Sequence, residues 1–89
     1  MQVEQQLLSA MRLVTEDEQC RNIFDAILRV GGKASGWSVT KGLGVDPEAT
    51  KTGLDKMKAH NILESTGPGL DGYYYLTPLG FQLRSALPR

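Results

Sequence analysis

Catalysis needs a nucleophile, a base or carboxylates brought together, and this chain of 89 residues supplies few of them. Its one histidine, His60, falls at the end of a helical pattern with lysines around it. That placing reads as a surface residue near a helix C-terminal dipole rather than a base. Its one cysteine, Cys20, falls on the apolar face of another helical pattern, where a free thiol packs as a small hydrophobe. A single cysteine excludes an internal disulfide, and Cys20 with His60 makes no metal set. The glycine-rich stretches, 31–36 and 42–53, lack the Gly-Lys-Ser/Thr ending of a phosphate-binding loop, and Lys33 and Lys41 stand at the wrong offsets. The expectation is a protein without enzymatic activity or cofactor, whose surface serves recognition.

The residues suited to recognition gather in one stretch, LGVDPEATKTGLDKMKAHNIL, from Leu43 to Leu63. Lys51, Thr52, Lys56 and Lys58 lie within it, and Lys41 lies just before it. Asp46 is a helix N-cap residue type, able to accept a bond from a first-turn amide. Pro47 follows at the first helical position, where its missing N–H does no harm. Leu54 and Met57 fall on one face with Thr50 one turn earlier. Asn61 marks the end, since Asn tolerates the left-handed conformation of helix termini. Ile62 and Leu63 then open a strand.

The elements around this stretch follow from periodicity. Val3, Leu7, Met11 and Val14 recur at helical spacing over 2–14, with Leu8 widening the stripe. Thr15-Glu16-Asp17-Glu18 has the form of a capping box, with Thr15 as the cap and Glu18 reaching back. Cys20, Ile23, Phe24, Ile27 and Leu28 give the buried face of a helix over 16–30 that ends at Gly31-Gly32. Lys33-Ala34-Ser35 reads as a short strand, and 36–42 as a helix with Val39 and Leu43 facing the core. Trp37 is expected to cover the edge of that core. Two strands, 62–65 and 73–76, flank a Gly/Pro-rich loop and read as a β-hairpin with a long tip. Tyr73 and Tyr75 should share one sheet face, with Tyr74 and Leu76 on the other. Thr77 and Pro78 open a last helix carrying Leu79, Leu83 and Leu87 at helical spacing.

A tight turn, a capped helix and then directly a strand resembles the second half of a winged helix-turn-helix DNA-binding domain of the small prokaryotic or viral regulator type. The junction Tyr75-Leu76-Thr77-Pro78-Leu79-Gly80 is similar to the strand-to-helix junction of such regulators. The likeness covers about 16–87. Two positions depart from the family pattern: Asn61 stands for the usual Gly at the helix end, and Thr50 for a β-branched apolar residue. The resemblance implies an α+β fold, with a three-helix core and a β-hairpin wing, here with extra N-terminal and C-terminal helices. Residues 1–15 are expected to form an N-terminal helix that either packs onto the same domain or pairs two copies, and 16–89 the winged unit. The resemblance further implies that the helix over 47–60 enters the DNA major groove while the wing lies along the backbone. Lys51 and Lys56 would contact phosphate or guanine, and Thr52 a phosphate or a thymine methyl. Lys58 would reach backbone, as would Lys41 from the preceding helix.

Charge and size set bounds on this reading. Ten basic and ten acidic residues leave no net charge, so any affinity for nucleic acid must come from local placement. Glu48 and Asp55 stand beside the lysines of the 47–60 helix. The loop 67–72 has no Lys or Arg; it carries Asp71 and a leucine, Leu70, that reads as exposed. No apolar run approaches the ~20 residues that span a bilayer, and no signal peptide is visible. A cytoplasmic protein is expected. The first expectation is a homodimeric DNA-binding transcription regulator, paired through its terminal helices, with double-stranded DNA as partner. The alternative is a winged-helix module for protein–protein contact in a larger assembly. The neutral charge, the uncharged wing, Trp37 and Leu70 lean towards it.

Overall fold

The computed structural model describes residues 2–67 and 69–87, with side chains from residue 4 onward. Five helices and three strands follow in the order α1 (Gln2–Glu16), α2 (Glu18–Arg29), β1 (Lys33–Ser35), α3 (Gly36–Leu43), α4 (Pro47–Ala59), β2 (Leu63–Ser65), β3 (Tyr73–Leu76) and α5 (Pro78–Ala86). A single 3-10 turn, Gly69–Asp71, lies in the loop between β2 and β3. The strands form one antiparallel sheet in the order β1-β3-β2. Lys33 lies opposite Tyr75 on one side of β3, and Leu63 opposite Leu76 on the other. This is an α+β winged helix-turn-helix: α2, α3 and α4 make the helical core, and β2–β3 the wing hairpin.

Apolar spacing explains which faces turn inward. Cys20, Ile23, Phe24 and Ile27 of α2 are buried, as are Leu54 and Met57 of α4, Ile62 and Leu63 at the start of the wing, and Leu83 of α5. Burying a side chain of this size contributes about 1.5–3 kcal/mol. Ala10 and Val14 of α1 join the same core, and Leu7, Met11 and Leu13 pack against it. Leu8 does not widen the buried stripe; it is 64% exposed. The stripe is therefore centred on Ala10 and Val14, with Leu8 on the solvent side. Val3 lies outside the described side chains.

The helix ends carry two further corrections. Thr15 caps nothing, because α1 runs on through Glu16. The cap of α2 is Asp17, whose carboxylate accepts a bond from the Cys20 amide at 3.1 Å. Asp46 occupies the cap position of α4 without making a side-chain cap bond. Its backbone carbonyl instead accepts from the Thr50 amide at 3.1 Å and the Thr50 hydroxyl at 3.3 Å. That second bond lets Thr50 be fully buried beside Leu54 without an orphaned oxygen. At the other end Asn61 takes φ 62°, as its residue type suggests, and turns the chain into the wing.

The loop of the wing is folded down rather than projecting. Leu70 is only 8% exposed, contrary to its reading as an exposed tip. It packs on the start of α3 so closely that a Cβ at Gly36 would fall 2.6 Å from the Leu70 Cα. The Tyr74 hydroxyl donates to the Gly69 carbonyl at 3.0 Å. Trp37 is half exposed, and its indole N–H donates to Asp71 at 2.8 Å. The tyrosines alternate as expected: Tyr74 is buried, while Tyr73 and Tyr75 face solvent.

At Gly53 α4 meets α2 with no side chain of its own in between. A Cβ there would lie 2.4 Å from Cδ1 of Ile23, so α4 rests directly on α2. Cys20 adds a thiol contact to the Gly53 carbonyl at 3.8 Å. Ile23 is fully buried, which leaves its terminal methyl little room to retreat. Gly53→Ala should therefore destabilise the fold by about 1–3 kcal/mol, the usual cost of overpacking. Adding Ile23→Val removes the clashing methyl and should recover part of the loss. Chemical denaturation of both variants checks this; a Gly53→Ala protein as stable as the parent would show that the contact tolerates a side chain.

Candidate nucleic-acid interface

The grip on α4 decides which of its residues face outward. Thr50, Gly53, Leu54 and Met57 point into the protein. A helix turns by 3.6 residues, so Glu48, Lys51, Thr52 and Asp55 fall opposite, and all four are exposed. Among the described residues nothing covers this outer side. The dipole of α4 has its positive end at Pro47, beside Glu48. The helix capable of touching a partner is therefore a firmly seated rod with one polar side free.

Four of the expected contact residues already have partners. Lys51 pairs with Asp55 one turn on, at 3.2 Å. The Thr52 hydroxyl donates back to the Glu48 carbonyl at 2.9 Å, which leaves its methyl and a lone pair facing out. Lys56, on the flank nearest α2, reaches Asp17 at 3.0 Å. Lys58, on the other flank, donates to the Ser65 hydroxyl of β2 at 2.8 Å. Lys41 of α3 is exposed and makes no bond or ion pair among the described residues. The outer side of α4 and its flanks thus bring together Lys51, Thr52, Lys56 and Lys58, while Lys41 stands on a neighbouring helix.

Asp17 is the participant that sequence reasoning missed. It was visible only as one acid of the 15–18 run, and its partner lies 39 residues away. The Lys56 ammonium, and then the Cys20 amide, hold its carboxyl below the ordinary value of 3.8. Lys56 is correspondingly raised by the same bond. Beneath this pair, burial pushes the Cys20 thiol up to about 11, so it is protonated at neutral pH and not a ready nucleophile. His60 caps α4, its ring Nδ1 3.0 Å from the Lys56 carbonyl, as a surface role would have it.

The wing supplies no basic anchor. Asp71 is engaged by Trp37, and among the described residues 66–72 there is no cation. The nearest positive charge on the sheet is Lys33 of β1, which lies over the Tyr73 ring at 5.3 Å.

No family model matches the chain, and no curated protein matches it. Among solved structures the fold is similar to that of Bordetella bronchiseptica BpsR, a structure concerned with how 6-hydroxynicotinic acid regulates that protein's DNA binding. The TM-score is 0.61 with 20% identity, over 94% of this chain. The chain spans 64% of the BpsR chain, so the likeness is one of fold over part of that protein.

The depressed Asp17 carboxyl has a consequence for stability. A carboxyl lowered in the folded state adds stability at neutral pH that is lost as pH falls from about 3.8 through the folded value. Asp17→Asn keeps a capping side chain but removes this increment. Its melting temperature should lie slightly below the parent's at pH 7, and the gap should close as the pH drops below 3.8. Melting curves at pH 7 and pH 2–3 test the sign; a gap that widens in acid would contradict the assignment.

Proposed function

We propose that this protein is a DNA-binding transcription regulator that sets α4 in the major groove and acts as a homodimer. The observation that carries the reading is the outer side of α4: uncovered, polar, and fixed in direction by the Gly53 contact. It occurs in a winged helix-turn-helix, the arrangement in which the second helix of the motif reads base edges. BpsR, similar in fold, is a protein whose DNA binding is regulated. Lys51 and Thr52 are the base-reading candidates. Lys41, Lys56 and Lys58 flank them as phosphate contacts, and these position the helix without reading sequence.

A single domain of this kind makes a small footprint, because the wing brings no cation. A second copy doubles it. The terminal helices offer the surface: α1 packs on α5, Leu8 remains 64% exposed and Phe81 43%. An open apolar groove runs beside them, lined by Leu7, Pro78 and Phe81. Residues 1–15 are proposed as the dimerisation segment, acting through the side turned away from Ala10 and Val14.

The second reading, a protein–protein module, is favoured by one observation: Lys51 and Lys56 are neutralised by carboxylates of the same chain. The two readings part on salt. Phosphate binding releases counterions and falls steeply as salt rises, whereas an apolar protein contact does not.

Mobility shifts with random duplex DNA at low and moderate salt are expected to show binding that weakens steeply with salt. On a duplex carrying a selected site, Lys51→Ala should cost about 1–3 kcal/mol of affinity, the range by which a base contact discriminates, and Thr52→Ala should also weaken binding. Both variants should keep their helical signal. Undiminished affinity in both would remove α4 as the reading element. For the dimer, deleting α1 would strip Ala10 and Val14 from the core, so Leu8→Glu with Phe81→Glu is the cleaner change. Light scattering should show the parent as a dimer and the double variant shifted to monomer; equal masses would count against the terminal helices.

A further inference from the structure

One charged group at the interface has no part in the reading above. Asp17 spends both carboxylate oxygens on donors that a nucleic-acid phosphate would also seek. Oδ1 accepts from the Cys20 amide at the N-terminus of α2, at 3.1 Å. Oδ2 accepts from Lys56 Nζ at 3.0 Å. A free helix N-terminal amide and a lysine ammonium are common partners of DNA phosphates. The carboxylate therefore holds one of the three N–H donors of Lys56 and offsets the charge that a phosphate oxygen would meet there. Glu16 and Glu18 flank it in sequence and add charge of the same sign. The Lys51–Asp55 pair is different in kind, since both members ride on α4. The Asp17–Lys56 pair joins two elements, and half of the lysine side chain stays open to solvent.

We propose that Asp17 sets the affinity of the interface from within: its carboxylate competes with a backbone phosphate for Lys56, and docking on DNA exchanges one for the other. This rests on the DNA-binding reading of α4. The bound state then contains a Lys56–phosphate contact that the free protein holds masked. Each binding event loses the internal pair, so the domain binds less tightly than its lysines alone would allow.

Asp17→Asn is the decisive variant, because Asn remains a good N-cap while the charge is gone. Asp17→Ser, also a cap and also neutral, guards against an effect peculiar to Asn. Lys56→Met is made alone and together with Asp17→Asn. Circular dichroism melts confirm that each is folded, and fluorescence anisotropy on one duplex is read from about 50 to about 200 mM salt, where phosphate contacts show most clearly. The expected result is severalfold tighter binding by both Asp17 variants at the lowest salt. Their log–log salt dependence should stay close to the parent's, because each bound state holds the same Lys56–phosphate contact, whereas Lys56→Met should flatten it by about 0.9. Lys56→Met should cancel that gain in the double variant. A parent that binds, with Asp17 variants of unchanged or weaker affinity, overturns this inference and leaves the DNA-binding reading standing. A gain that survives Lys56→Met also overturns it, since the effect would then be general loss of negative charge. Failure of the parent and every variant to bind at the lowest salt overturns the DNA-binding reading and this inference with it.

Discussion

The fold depends on how closely α4 can approach α2. Gly53 makes the approach possible, and Ile23 fills the space that a side chain would have taken. From that contact the rest follows in order. Leu54 and Met57 are pressed into the core. The opposite side of the helix, with Glu48, Lys51, Thr52 and Asp55, is turned to solvent. Lys56 comes near enough to α2 to reach the residue that caps it. A helix held further off would rotate or tilt more freely, and its outer side would have no fixed direction.

Charge at this surface is balanced rather than concentrated. Lys51, Lys56 and Lys58 stand against Glu48, Asp55 and Asp17, and two of the lysines are in direct ion pairs. Such exposed pairs contribute little to stability. Their consequence lies in what they do to an incoming anion, which meets an ammonium whose charge a carboxylate already offsets. The wing does not redress the balance, because its loop is folded onto α3 through Leu70 and the Trp37–Asp71 bond. A surface of this kind favours a partner whose contacts match the spacing of the lysines over a diffuse polyanion.

Much of the architecture was legible in local chemistry. Pro47 and Asn61 bracket α4, and Thr50, Leu54 and Met57 on its inner side follow from spacing, whereas the buried Gly53 between them was not singled out. The Tyr73–Leu76 alternation gave the correct sheet face. What escaped was set by contacts distant in sequence. Leu70 sits in a Gly/Pro-rich loop, which normally means exposure; only the bare backbone at Gly36 makes a seat for it. Leu8 continues a helical stripe, but the width of the buried face depends on where α2 and α5 lie. Thr15 and Asp17 are both good caps, and the extra length of α1 decided between them. The lysines of α4 could be placed on its exposed side, whereas the Asp17 partner of Lys56 left no local trace.

The central claim is that the outer side of α4 is the surface that meets DNA. Backbone amide shifts of the isotope-labelled protein, followed as duplex DNA is added at low salt, test it most directly. The account predicts that the largest changes fall between Glu48 and Lys56, with a second set at Asp17 and Lys41. Changes confined to α5 and the exposed tyrosine face of the sheet, with α4 silent, would contradict it.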